Sequence, residues 1–169
     1  MRRTEREITD REIIDRIIEL CPVCRLGLYD GSTPYIVPVN FIYTEATVYF
    51  HSAGQGKKLE CLRAGGRAAV EWDIPGNLIT AEKPCDYGFD YVSVIAEGRP
   101  FFIESAEEKG SILTALTSRY SGSRGHSGSK VSVSPEAARG TVVLGIELDA
   151  VTGKASREEY LAAILAGGT

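Results

Sequence analysis

The chain has 169 residues, 43% of them hydrophobic, and a formal charge of −4 at pH 7. That length and apolar content suit one packed domain. A mildly acidic balance argues against the broad basic field of a dedicated nucleic-acid binder, and no run of about 20 apolar residues offers a helical membrane span.

In chain order, the first residues are basic (Arg2, Arg3, Arg6) but no apolar stretch follows them. No secretory signal is therefore expected, and the expected location is cytoplasmic. Ile13, Ile14, Ile17, Ile18 and Leu20 recur at the spacing of one helix face. Thr9 or Asp10 can cap that helix, Glu12 suits a capping box with Thr9, and Pro22 stops it. Cys24–Tyr29 reads as a strand, and Asp30-Gly31 as a hairpin turn. Tyr35–Tyr43 reads as one long strand, with Pro38 marking a bulge or an edge position. Glu45-Ala46 turns the chain into a strand over Val48–His51. Lys57–Ala64 is helical, and Gly65-Gly66 ends it.

Ala68–Asp73 is the next strand. Ile74–Phe89, with two prolines and two glycines, reads as a long loop with a possible short strand at Leu78–Thr80. Tyr91–Arg99 is a strand that continues through Pro100–Glu104. Ser105 caps a helix over Ala106–Tyr120, with Glu107 and Glu108 in its first turn. Ser121–Ser129 is glycine/serine-rich and reads as a surface loop, with His126 solvated in it. Pro135 opens a short helix, Thr141–Asp149 is the last strand, and Arg157–Ala166 forms a short terminal helix. Strands joined by short turns favour an antiparallel sheet over a βαβ series. The expected fold is mainly β (α+β), a small barrel of about six strands with peripheral helices. Residues 1–155 form the domain and 156–169 a tail.

Cys21 and Cys24 have the spacing of half a zinc site or a redox pair. A structural zinc needs two further ligands at comparable spacing, and Cys61 and Cys85 do not supply them. The expectation is that no metal is held and that these cysteines serve as small apolar residues.

The junction from His51 to Lys58 carries the chemistry. Alternation puts Tyr49 and His51 on one strand face and Val48 and Phe50 on the other. Ser52, two glycines, Lys57 and Lys58 then supply a hydroxyl, accessible N–H groups and two cations at a helix start, a combination that suits an anion. On residue types alone, a polar turn with two solvated lysines fits as well. Trp72, Tyr87 and Tyr91 could wall a cavity or serve the core. Glu71 and Asp73 could face a pocket or solvent.

The run YIVPVNFIY (Tyr35–Tyr43), then VYFHSA and Gly56-Lys57-Lys58, then Arg67-x-Ala69-Val70, resembles the flavin-binding split-barrel superfamily of pyridoxamine 5′-phosphate oxidase. Within it, the 5-nitroimidazole resistance (Nim-like) branch is most similar. Pro84-Cys85 and YVSVIAEGR (Tyr91–Arg99) resemble that branch too. The resemblance implies a six-stranded antiparallel split β-barrel that forms a homodimer, with FMN at the subunit interface. It implies that Val37, Pro38, Val39, Asn40 and Phe41 meet the polar edge of the isoalloxazine. It also implies that His51, Ser52, Ala53, Lys57 and Lys58 surround the phosphate, with Ser93 near the flavin.

Ile36 stands where the oxidase branch has arginine, Phe41 where it has a basic residue, and its C-terminal Trp/Arg motif is missing, so vitamin B6 oxidation is not expected. The implied activity is an FMN-dependent oxidoreductase that takes electrons from a donor and reduces a small electrophile such as a nitroimidazole. His51 is then the proton donor, or else a ligand of the phosphate or ribityl chain. The alternatives are a flavin binder or sensor without turnover, and a haem-binding split barrel with His51 or His126 as axial ligand.

Overall fold

Alternation along the strands sets the architecture. The computed structural model describes residues 3–121 and 132–167. The glycine/serine-rich stretch beyond Ser121, with His126, lies outside the described residues. In chain order the elements are β1 (Glu7–Ile8), α1 (Arg11–Leu20), β2 (Cys24–Tyr29), β3 (Pro34–Val39), β4 (Ile42–Thr44), β5 (Thr47–Ser52), α2 (Lys57–Arg63) and β6 (Ala68–Ile79). They continue as β7 (Gly88–Phe102), α3 (Ala106–Ser121), α4 (Pro135–Ala138), β8 (Val142–Ala155) and α5 (Glu158–Leu165). No helix among the described residues is long and apolar enough to cross a membrane.

Every pairing is antiparallel. The sheet runs β3-β2-β6-β7-β8-β5-β4, with β1 pairing to β8 off this path. The two ends of that order, β3 and β4, are separated in the chain only by Asn40 and Phe41. So short a link brings the two edges of one sheet together. The sheet therefore curls on itself and stops short of closure, which is a split barrel with its seam at Asn40-Phe41. Pro38 lies on the outer strand β3, where a missing N–H costs no ladder bond.

The barrel interior takes every second residue. Leu26, Val48, Phe50, Val70, Trp72 and Val94 are all fully buried. Phe41 and Trp72 meet edge to face at 5.9 Å, a geometry worth about 0.5–1.5 kcal/mol beyond burial. The Trp72 indole N–H has no hydrogen-bond partner among the described residues. Helix α1 covers one end with Ile14, Ile17 and Ile18. Its cap is Asp10, whose carboxylate accepts from the N–H groups of Glu12 (2.9 Å) and Ile13 (3.4 Å). Thr9 does not take this place.

Helix α3 closes the seam. The Tyr120 hydroxyl accepts from the Phe41 N–H at 3.0 Å and lies 2.9 Å from the Pro22 carbonyl oxygen and 3.1 Å from that of Phe41. The Arg119 guanidinium donates to the carbonyls of Glu19 (3.0 Å) and Cys21 (2.8 Å) and lies 4.6 Å from the Phe41 ring centre.

Three expectations are corrected. Tyr35–Tyr43 is not one strand, because Asn40-Phe41 breaks it into the two sheet edges β3 and β4. Ile74–Phe89 is not a loop. Instead β6 runs to Ile79 and β7 starts at Gly88, a two-stranded ribbon with a register shift between Pro75 and Leu78 that absorbs the proline and glycine. Eight strands stand where six were counted, the short β1 and β4 being the additions.

Candidate functional site

Strand alternation decides where the junction residues point. Val48 and Phe50 fill the core, so His51 faces outward, while Ser52 turns inward and is buried. His51 and Asn40 line one cleft of about 420 Å³, together with Leu113, Leu116, Thr117 and Tyr120 of α3. The cleft thus lies on the seam. Its helix wall is largely apolar, and its polar side chains are an amide, an imidazole and the three hydroxyls of Thr117, Tyr120 and Ser121.

Beyond Ser52 the chain loops through Ala53, which is exposed, to Gly56. Gly56 has φ 119°, a conformation that favours glycine, and it brings no side-chain cap to α2. Lys57 and Lys58 follow with different surroundings. The Lys57 ammonium lies 3.0 Å from the Asp30 carboxylate and 5.5 Å from the Tyr35 ring centre. Asp30 also accepts from the N–H groups of Thr33 (2.6 Å) and Ser32 (2.8 Å). Those N–H groups, with Lys57, hold its carboxyl well below the usual carboxylate range. Lys58 is half-buried, its ammonium 5.5 Å from the Phe50 ring centre. Burial lowers its pKa, and it has no carboxylate partner among the described residues.

On β3, Val37 is half-buried and Pro38 exposed, while Val39 and, past the strand end, Phe41 are buried. Since β3 pairs only with β2 among the described residues, its other edge has no strand partner there for its main-chain N–H and C=O groups. Ser93 is set apart from all of these. It sits on β7 opposite Lys154 of β8, whereas His51 sits opposite Val143. Those β8 residues are eleven positions apart, about 35 Å of strand.

The structure therefore brings Asn40 and His51 together and places Lys57 and Lys58 at the next turn. It leaves Ser93 at the far end of the sheet. Trp72 is core, and Glu71 and Asp73 are engaged by Arg25. The α3 wall was not found from the sequence, although Leu113, Leu116 and Tyr120 form an i, i+3, i+7 stripe that marks a packed helix face. Asp30 as the partner of Lys57 carries no local signal. Cys21, Cys24 and Cys61 are buried, and Cys85 is exposed. Burial pushes the thiols of Cys21 and Cys24 up to about 12, so they are packing residues rather than thiolates. Among the described residues no group of three His, Cys, Asp or Glu could hold a metal ion.

A family model described as pyridoxamine 5′-phosphate oxidase matches residues 10–155. A crystal structure from Bacteroides thetaiotaomicron, provisionally assigned to 5-nitroimidazole antibiotic resistance, is 30% identical. The match covers 88% of this chain and 86% of that one, with a TM-score of 0.74. An FAD- and haem-binding protein from Mycobacterium smegmatis is 22% identical over 97% of this chain and 81% of that one (TM-score 0.75). An FAD-binding protein from Mesorhizobium loti is 22% identical over 90% and 98% (TM-score 0.65). No curated protein matches. With most of its length inside the family model and its sheet curled into a seamed barrel, this chain belongs to the pyridoxamine 5′-phosphate oxidase family of split barrels.

Proposed function

We propose that the chain is a flavoprotein that binds FMN along the seam and passes electrons from it to a small electrophile, with a nitroimidazole as the model acceptor. The observation that carries the reading is the seam cleft itself. Asn40 and His51 share it, at a sheet edge that has no strand partner among the described residues, and the turn that follows His51 leads to a half-buried lysine with no carboxylate partner among them. An isoalloxazine needs an apolar wall and polar groups at one rim, and its phosphate needs cations. The cleft, the free edge of β3 and Lys58 fit those needs.

In this reading, main-chain groups of Val37–Phe41 and the Asn40 amide orient the ring, and Lys58, with Lys57, holds the phosphate. A charge-assisted bond of this kind is about twice as strong as a neutral one. Bound flavin supplies the electrons. His51, on the outward face, delivers the proton to the acceptor, the general-acid role that histidine most often fills. Leu113 and Leu116 exclude water from one wall.

Ser93 lies too far along the sheet to join His51 in one protomer. A homodimer that sets the partner's β7 against the seam would bring it there, and we propose that arrangement.

The test is a spectrum of the purified protein and identification of the flavin released on denaturation. A yellow protein that releases FMN, and whose reduced form is reoxidised by a nitroimidazole through repeated cycles, supports the reading. FAD in the supernatant overturns the choice of FMN. Flavin that binds but never cycles makes the chain a flavin binder or sensor. A Soret band would replace the reading with a haem protein.

His51→Ala is expected to lower turnover about a hundredfold or more, the scale of a lost general acid. Flavin affinity should hold within about twofold. Equal losses of turnover and affinity would make His51 a cofactor ligand.

A further inference from the structure

At the far end of the sheet a second cleft, of about 590 Å³, is lined by Arg3, Arg6, Tyr87, Phe89, Tyr91 and Arg157, among others. It shares no lining residue with the His51 cleft. Pairing of β1 with β8 carries the N-terminal turn, and so Arg6, to this end, where Glu7 lies opposite Lys154. The β6–β7 ribbon supplies the other wall. Its Phe89 is 62% exposed and Tyr87 52%, high values for aromatic side chains.

The electrostatics run against the rest of the molecule. The chain is net acidic, yet this cleft gathers three guanidinium groups against one acidic lining residue, Asp86. Arg157 is committed to the buried Asp90 carboxylate. Arg3 and Arg6 have no carboxylate partner among the described residues. The Lys154 ammonium lies 5.6 Å from the Tyr91 ring centre. Burial pushes the Tyr91 phenol up, but Lys154 and Arg6 beside it outweigh that and leave it below its ordinary value. The positive field therefore reaches into the cleft.

Two arginines without carboxylate partners among the described residues and two uncovered rings are complementary to one kind of molecule. A guanidinium offers a planar fork that matches two phosphate oxygens, and an exposed aromatic face stacks on a heterocyclic base. We propose that this cleft binds a purine nucleotide, either a mononucleotide or the adenylate half of a dinucleotide electron donor. Arg3 and Arg6 take the phosphate, and Phe89 and Tyr87 take the base. The site stands whether or not the seam cleft holds a flavin.

Calorimetric titration of the purified protein tests it, with AMP, adenosine, inorganic phosphate and NADH as probes. AMP should bind more tightly than adenosine or phosphate alone. Arg3→Ala with Arg6→Ala should weaken AMP binding about tenfold or more, the scale of a lost charged hydrogen bond. Phe89→Ser should weaken it too, and its exposed position leaves the core untouched. FMN titrations should be unchanged in both variants. NADH tighter than AMP would identify the dinucleotide as the source, and equal affinities the mononucleotide. The proposal is overturned if AMP does not bind, if it binds wild type and variants alike, or if FMN displaces it. Displacement would make the cleft a wall of the flavin site supplied by a second copy.

Discussion

Lys57 and Lys58 are neighbours in the chain and opposites in their surroundings. Lys57 sits against Asp30, which is itself held by two turn N–H groups. Lys58 is half-buried and has no such partner among the described residues. At the proposed site, a flavin phosphate would have to compete with Asp30 for Lys57, but not for Lys58. Lys58→Ala is expected to weaken FMN binding about tenfold or more, and Lys57→Ala by less, in fluorescence titration of the apoprotein. Asp30→Asn should tighten binding by releasing Lys57; unchanged affinity in that variant would count against competition. The sequence showed the two cations, the histidine and the serine, and the strand period showed which way His51 faces. It did not show the division between the lysines, because Asp30 is 27 positions upstream of Lys57 and only the β2–β3 hairpin brings them together.

At the scale of elements, the seam depends on one hydroxyl. Tyr120 at the end of α3 satisfies the Phe41 N–H, which has no strand partner among the described residues. Tyr120→Phe leaves that buried donor unpaired and is expected to cost about 1–3 kcal/mol, read as a lower urea midpoint with an unchanged slope. The β7–β8 pair has a different weak point. Its register shifts at Gly98, where an added methyl would run into the Glu147 carbonyl oxygen and the Ile146 side chain. Gly98→Ala should cost about 1–3 kcal/mol, the scale of overpacking, measurable in the same titration. Most elements were legible because their signals are local, as in the isoleucine face of α1, the glycines after α2 and the alternation of β5. The β6–β7 ribbon was not legible. Its prolines and glycines read as a loop, and the pairing that overrides them joins residues far apart in sequence. The break at Asn40-Phe41 was hidden for the opposite reason, since a smooth apolar run covers it.

For the whole molecule, one buried carboxylate ties the start of the C-terminal segment to the barrel, beside the Tyr160 hydroxyl on the Pro75 carbonyl and Ile164 in the core. Asp90 accepts from the Arg157 guanidinium and the Ser156 hydroxyl (2.9 Å), and Ser156 in turn accepts from the Tyr91 N–H (3.1 Å). Arg157, with Ser156, holds Asp90 below the usual carboxylate range. A depressed carboxyl stabilises the fold fully above its unfolded value, near pH ~3.9. That stabilisation is lost as the pH falls through the lower folded value. Arg157→Ala should therefore melt earlier than wild type at neutral pH, and the gap should narrow as the pH falls below about 4. The thiols report on the same fold. Cys21, Cys24 and Cys61 are buried, so a thiol reagent should modify no more than Cys85 until denaturant is added. The sheet order has one more consequence, for the way the chain is made. The last strand synthesised, β8, lies between β7 and β5 and also pairs with β1. On a ribosome, β5 emerges with one flank bare and stays so while some ninety further residues are added. The nascent barrel remains in two pieces until its final strand arrives to join them.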